Sequence, residues 1–268
     1  MEHFKKKTNA LIVGYGYLGR LLEKKLIDSH WTVDCLSRSP QGEKKNHLCI
    51  DVTNPFLLEK KDYQVVFYMV SADSFSKESY EAAYQVGVKN TLNALNKQSK
   101  APYFIFVSST SVFKENSGNW VTEDSPVKTK AKEDPSTYIL LGESLVEKMA
   151  PSFSIVRLSG IYGPNRSHLL DAVLLKKASL KSQELVSNRI HSYDAVRFLV
   201  FLTTLTSPQK IYLVTDSNPT NINNVILWLQ KNFTPNSSLQ IEKTPTKSRM
   251  RSNKKCSNKK IIEEGFIL

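Results

Sequence analysis

The chain has 268 residues, and its 37 Lys and Arg residues outnumber its 25 Asp and Glu residues, which gives a formal net charge of +12. Hydrophobic residues make up 40% of the chain, which suffices for one sizeable core or for a core domain with a small lobe. No apolar run approaches the ~20 residues of a membrane-spanning helix, and Cys35, Cys49 and Cys256 lack the spacing of a metal site. We therefore expect a globular cytoplasmic protein with reduced thiols, no bound metal and no membrane partner.

Apolar runs and helical patterns alternate over about the first 160 residues, which predicts a parallel sheet built from βαβ units. The predicted strands are residues 10–13, 32–36, 47–50, 64–70, 103–107 and 153–158. The predicted helices are residues 78–95 and 136–149, and residues 114–135 form a polar surface loop. Beyond this region we expect helices at 168–180, 193–205, 221–232 and 258–264, and extended segments at 184–190 and 210–214. The predicted boundary puts an α/β core in residues 1–163 and a C-terminal lobe in residues 164–268.

The motif behind the first predicted strand reads Gly14-Tyr15-Gly16-Tyr17-Leu18-Gly19, and an amphipathic helical pattern follows it. In a dinucleotide-binding turn the first glycine permits the tight turn, and the second lets the pyrophosphate approach the backbone. The third glycine lets the helix pack on the strand, so that the free N–H groups of the helix N-terminus point at the anion. A tight β–α turn without a ligand is the alternative, and the strand–turn–helix context favours the dinucleotide site.

Three further segments resemble motifs of a known family. Residues 104–113 read FIFVSSTSVF, residues 156–164 read VRLSGIYGP, and residues 188–194 read NRIHSYD. They resemble the SSxxVYG, RxxxxYGP and NRIHVDD segments of extended short-chain dehydrogenases, the superfamily of sugar-nucleotide epimerases and dehydratases. The GxGxxG spacing is similar to that of its atypical, NAD-dependent epimerase/dehydratase-like members. The resemblance implies an α/β fold with a Rossmann-type doubly wound parallel sheet and a small C-terminal α+β lobe, an NAD(P) cofactor, and a small carbonyl, hydroxyl or sugar-nucleotide substrate.

The resemblance also places cofactor contacts at the ends of the next strands. Family members that prefer NAD carry an acidic residue where this chain has Ser37 and Arg38. A hydroxyl and a planar guanidinium suit a 2′-phosphate, so we expect NADP, with NAD as the alternative cofactor. Asp51 and Val52 resemble the family's adenine-contacting pair, although Asp51 could instead cap a turn and Arg38 could be an ordinary loop arginine. The expected contacts after the fourth strand are Ser71 and Ala72.

The catalytic pair of the family is broken in this chain. Family members use a tyrosine as general acid or base, together with a lysine four residues later that lowers the pKa of the tyrosine. Tyr138 stands near the expected position, but Gly142 and then Glu143 occupy the place of the lysine. A carboxylate cannot stabilise a phenolate as an ammonium does. Ser109 holds the position that bonds the substrate oxygen, so the predicted catalytic residues are Ser109 and Tyr138.

Two functions therefore stay open. The first is an NAD(P)-dependent oxidoreductase or epimerase/dehydratase-like enzyme, in which Lys132 or Lys148 could replace the missing lysine. The second is a non-catalytic NAD(P)-binding sensor or scaffold.

The positive charge is concentrated near the C-terminus. Residues 243–260 hold eight Lys and Arg residues and no acidic residue. A nucleic-acid-binding tail is one interpretation, but the segment has no aromatic side chain for base stacking. A solvated loop, or a flap over an anionic cofactor, is the favoured interpretation, and no nucleic-acid partner is expected.

Overall fold

A computed structural model of the chain describes residues 8–42, 45–128, 134–241 and 253–268. Its strands are β1 Asn9–Val13, β2 Thr32–Ser37, β3 His47–Cys49, β4 Val65–Tyr68, β5 Tyr103–Ser109, β6 Trp120–Val121, β7 Phe153–Leu158, β8 Gly160–Tyr162, β9 Ser179–Leu180, β10 Val186–Ser187, β11 Arg189–His191, β12 Ile211–Val214, β13 Thr220–Asn221, β14 Gln240–Ile241 and β15 Lys255–Cys256. Its α-helices are α1 Tyr17–Asp28, α2 Lys77–Glu81, α3 Gly87–Leu95, α4 Ser136–Met149, α5 His168–Leu174, α6 Ser192–Leu202, α7 Ile222–Phe233 and α8 Lys259–Glu263.

Seven of the strands form one sheet, in the order β12-β7-β5-β4-β1-β2-β3. The pairs that join β3, β2, β1, β4 and β5 are parallel. All four residues of β4 are buried, and so are four of the five residues of β1. Apolar strands of this kind need cover on both faces, which is the arrangement of a doubly wound α/β sheet. The α/β fold class expected from the sequence is confirmed.

The helix expected at residues 78–95 contains an irregular turn. α2 is followed by the π-helical segment Ala82–Val86, and α3 follows directly, so that the three segments are consecutive helical turns. The Tyr68 hydroxyl of β4 donates to the carbonyl of Ala83 inside this segment. A side chain at Gly87 would collide with the same hydroxyl. Helical periodicity predicts that residues 78–95 are helical. It does not predict the π turn, which contacts Tyr68 of the distant strand β4.

Two local expectations are wrong. The helix expected at residues 168–180 ends at Leu174, because Lys176 adopts a left-handed backbone with φ of 55°. The segment then forms β9, which pairs with β14. The loop expected at residues 114–135 contains β6, which pairs in parallel with β15. Two-residue strands of this kind have no sequence period of their own, so only their partners define them.

The chain divides into two compact units. The first comprises Met1–Val112, Lys128–Arg157 and Val196–Tyr212, and the second comprises Phe113–Val127, Leu158–Ala195 and Leu213–Leu268. The second unit has an apolar cluster of Val173, Ile222 and Ile226, from α5 and α7. The predicted boundary at residue 163 stays a prediction. Within the ranges described above, no helix is both long and apolar enough to cross a membrane.

The basic segment is described only from residue 253 onward. Lys254 is 1% exposed within the second unit, so the expectation of a solvated loop is wrong at this residue. The expectations for residues 243–252 lie outside the described residues.

Candidate functional site

The turn after β1 can be formed only by glycine at two of its positions. Gly14 has a φ of 101°, and a Cβ atom on it would lie 2.6 Å from the backbone nitrogen of Val70. A Cβ atom on Gly19 would lie 2.7 Å from the carbonyl oxygen of Gly14. The first glycine therefore permits the turn beside β4, and the third permits close packing of α1 against β1.

Gly16 has a different environment. Within the described part of the chain, no heavy atom beyond those of Gly16 and its two chain neighbours lies within 4 Å of the position that its Cβ atom would take. Gly16 is the N-cap residue of α1 and has no side chain with which to cap the helix. The first N–H groups of an α-helix have no acceptor within the helix itself, and the N-terminus of α1 points them toward the glycine turn. This open glycine beside an uncapped helix N-terminus fits a pyrophosphate.

A cavity of about 300 Å³ adjoins this turn. The expected cofactor residues that line it are Gly14, Tyr15, Gly16, Ser37, Arg38, Asp51, Val52 and Ser71. The expected cofactor residues outside the lining are Tyr17, Leu18, Gly19 and Ala72. The ends of β1, β2 and β4 meet at this cavity, and the carboxyl edge of a parallel sheet is where such folds bind ligands.

A bidentate ion pair lies in the cavity wall. Nη1 of Arg38 lies 2.7 Å from Oδ2 of Asp73, and Nη2 donates to Oδ1 over 3.0 Å. The two side chains are 59% and 65% exposed. The hydrogen bond between them raises the pKa of Arg38 and holds the pKa of Asp73 below its usual range. The guanidinium that the sequence assigns to a 2′-phosphate therefore already holds a carboxylate.

Other polar groups of the wall have local partners. The Ser37 hydroxyl donates to the carbonyl of Ser39 over 3.0 Å and lies 2.8 Å from Nε2 of His47. Oδ1 of Asp51 accepts hydrogen bonds from the backbone and the hydroxyl of Thr53, at 2.9 and 2.8 Å. Asp51 thus forms the turn cap that the sequence left as an alternative role.

Tyr15 is another residue of the cavity wall. Its hydroxyl donates to the buried carboxylate of Glu23, and the guanidinium carbon of Arg20 lies 5.7 Å from its ring centroid. The ring of His47 lies 6.0 Å away, measured between centroids. These contacts hold the ring as one wall of the cavity.

The predicted catalytic residues do not line this cavity. The half-buried Ser109 accepts a hydrogen bond from the backbone N–H of Ser111 over 3.1 Å. Tyr138 lies in the first turn of α4 and is also half-buried. A Cβ atom on Gly142, four residues later, would lie 2.5 Å from the carbonyl oxygen of Tyr84. The missing lysine therefore has a packing reason, because α4 approaches the π-helical segment too closely at this position for any side chain.

Glu143 belongs to a buried ionic network. Oε2 of Glu143 accepts from Nη2 of Arg157 over 2.8 Å, and Oε1 accepts from Nε of Arg157 over 3.0 Å. The Ser108 hydroxyl also donates to Oε1. The Glu143 and Arg157 side chains are 6% and 5% exposed. The network joins α4, β5 and β7 and balances the charge of Glu143, so this carboxylate has a structural role.

Comparison with known proteins decides the family. A model of the NAD-dependent epimerase/dehydratase family matches residues 10–214, which is more than half of the chain. The chain belongs to the NAD-dependent epimerase/dehydratase family. The resemblance found in the sequence motifs is confirmed. No curated protein matches the sequence.

Several solved structures share the fold. A protein from Methylobacillus flagellatus, an NAD-dependent epimerase/dehydratase by name, is 26% identical with a TM-score of 0.76, and the match covers 98% of this chain and 93% of that one. The UDP-glucose 4-epimerase of Thermus thermophilus, solved with NAD, is 16% identical with a TM-score of 0.76, covering 97% and 94%. The Thermotoga maritima UDP-glucose 4-epimerase, solved with UDP-glucose, is 15% identical with a TM-score of 0.73, covering 96% and 92%.

Sequence reasoning missed two charged residues, Asp73 in the cavity wall and Arg157 in the buried ionic network. Asp73 follows β4 in a polar stretch, and nothing local indicates that it reaches the end of β2. Arg157 does carry a signal, because a charged residue inside an apolar strand needs a buried partner. Glu143 is the partner, and its place on the buried face of α4 could have indicated this.

Proposed function

We propose that the chain is an NAD(P)-dependent oxidoreductase or epimerase/dehydratase-like enzyme that acts on a small carbonyl, hydroxyl or sugar-nucleotide substrate. The observation that carries the proposal is the turn of Gly14 and Gly16, open to a cavity of about 300 Å³. The structures with NAD and UDP-glucose among the family members support this class of cofactor and substrate.

In this proposal the cofactor would bind along the carboxyl edge of the sheet. The open backbone at Gly16 and the N-terminus of α1 would hold the pyrophosphate. Asp51 and Val52 would face the adenosine half, and Ser71 and Ala72 would line the trough after β4. A bound nicotinamide cofactor supplies hydride transfer.

We further propose a preference for NADP over NAD, which Ser37 and Arg38 support. A charge-assisted hydrogen bond is worth about 1.5–3 kcal/mol, so Arg38→Ala should weaken NADPH binding by roughly 10- to 150-fold. The affinity for NADH should fall less, because NADH lacks the 2′-phosphate. Calorimetric titration of both cofactors measures this difference, and tighter binding of NADH than of NADPH to the native protein would contradict the preference.

For the chemical step we propose that Ser109 positions the reacting oxygen and that Tyr138 exchanges its proton. General acid–base catalysis is typically worth ~10²–10⁴ in rate, so Tyr138→Phe should remove most of the turnover and leave cofactor affinity unchanged. Because no side chain fits at Gly142 to assist Tyr138, turnover should be slow. A fully active Tyr138→Phe variant would show that the proton takes another route.

The packing of Gly142 favours a second candidate, a non-catalytic NAD(P)-binding sensor or scaffold. A side chain at this position would overlap the Tyr84 carbonyl, so the helix excludes the family's lysine. A panel of carbonyl compounds and sugar nucleotides separates the two functions. Tight cofactor binding with no turnover of any panel member would favour the sensor or scaffold.

A further inference from the structure

The pair of Arg38 and Asp73 has a defined place in the topology. Arg38 follows β2 and Asp73 follows the end of β4, while β1 lies between these two strands in the sheet. Neighbouring strands are about 4.8 Å apart, so a bond from the end of β2 to the end of β4 spans the carboxyl end of β1. The glycine turn begins at that end. The ion pair therefore crosses the edge of the sheet at which the cofactor is proposed to bind.

The backbone holds Asp73 in this position. The hydroxyl oxygen of Ser79 accepts hydrogen bonds from the backbone N–H groups of Asp73 and Ser74, at 2.9 and 3.2 Å. The N–H of Ser79 in turn donates to the Ser76 hydroxyl, which caps α2. The loop that carries Asp73 is therefore hydrogen-bonded to the N-terminus of α2, which positions the carboxylate beside Arg38.

A 2′-phosphate and the Asp73 carboxylate compete for the same guanidinium. Asp73 holds the end-on side of Arg38 through both Nη atoms, so a phosphate must displace it from that side or share the guanidinium with it. The carboxylate would also repel the phosphate, because the two anions would share one guanidinium. The 2′-hydroxyl of NAD has no such conflict, since a hydroxyl can donate to a carboxylate.

We propose that Asp73 is a specificity-determining residue, which competes with the cofactor's 2′-phosphate for Arg38 and thereby limits the affinity for NADPH relative to NADH. This inference rests on the proposed function, because it requires a dinucleotide in the cavity. Asp73 would narrow the preference for NADPH that Ser37 and Arg38 support, without reversing it.

The test compares Asp73→Asn with the native protein in titrations of NADPH and NADH. The variant keeps the size of the side chain and removes its charge, and the exposed position should tolerate it. NADPH affinity should rise about tenfold, since the competing ion pair and the repulsion are both lost. NADH affinity should stay unchanged or fall. Glu78→Gln is the matched control, because this exposed residue of α2 loses the same charge outside the cavity lining.

A double-mutant cycle tests whether Asp73 acts through Arg38. In the Arg38→Ala background, Asp73→Asn should give a smaller gain in NADPH affinity than in the native background. Unchanged or weaker NADPH binding to Asp73→Asn would overturn the proposal. Equal gains for both cofactors, or the same gain in Glu78→Gln, would also overturn it. If neither the native protein nor any variant binds either cofactor, the proposed function itself fails.

Discussion

Replacing Gly16 by valine separates cofactor binding from folding. The φ of Gly16 is −92°, outside the left-handed region, and no described heavy atom beyond Gly16 and its two chain neighbours lies within 4 Å of its Cβ position. The valine side chain should therefore enter open space, and the expected loss in the free energy of unfolding is that of replacing an N-cap glycine, about 0.5–1 kcal/mol. The same space is where we place the pyrophosphate. The variant should consequently be folded but unable to bind the cofactor normally.

The expected loss can be estimated from the hydrogen bonds that the side chain would block. Each hydrogen bond to a charged phosphate oxygen is worth about 1.5–3 kcal/mol, so losing one should weaken binding roughly 10- to 150-fold. Titrations followed by the fluorescence of NADPH and NADH measure the affinity, and thermal unfolding checks the fold. Gly16→Ala should give a smaller loss than Gly16→Val, because its side chain is shorter.

Gly14→Ala provides the contrast. Its backbone has a φ of 101°, and the added Cβ atom would lie 2.6 Å from the nitrogen of Val70, so this variant should lose about 1–3 kcal/mol of stability. The Gly16→Val variant should lose less stability than Gly14→Ala. Native affinity for both cofactors in a folded Gly16→Val protein would refute the assignment of the turn. A loss of stability at Gly16 as large as that at Gly14 would refute the structural argument.

Two further predictions concern buried ionisable groups. Glu143→Gln leaves the Arg157 charge buried without its partner, so urea unfolding should show a loss of about 3–5 kcal/mol, whereas the exposed Glu147→Gln on the same helix should change stability by less than about 0.5 kcal/mol. Burial raises the pKa of the Cys256 thiol to about 11. The folded state therefore keeps a proton that the unfolded state releases, and stability on the order of 2 kcal/mol should be present below pH 9 and lost between about pH 9 and 11. Cys256→Ala should flatten this alkaline loss in denaturation curves, and an unchanged slope would contradict the role of Cys256.

The α/β fold and the glycine turn follow from local sequence patterns. Continuous apolar runs predict strands buried on both faces, and helical periodicity predicts α4 with the observed bounds, Ser136–Met149. The φ of Gly14 and the close packing at Gly19 are consequences of a strand that turns directly into a helix. These features depend on residues near one another in the chain, so the sequence alone could predict them.

The partners within the site depend on tertiary structure. Arg38 and Asp73 are 35 positions apart in the chain. They meet because the sheet order brings the carboxyl ends of β2 and β4 to the two sides of β1, within reach of the two side chains. The absence of a side chain at Gly142 is explained by the approach of α4 to the π-helical segment, which no local pattern indicates. The burial of Lys254 likewise differs from the exposure that its strongly basic sequence surroundings predict. Local patterns determine the elements because backbone geometry and side-chain period act over a few residues, whereas the neighbours of a side chain are determined by how distant elements pack.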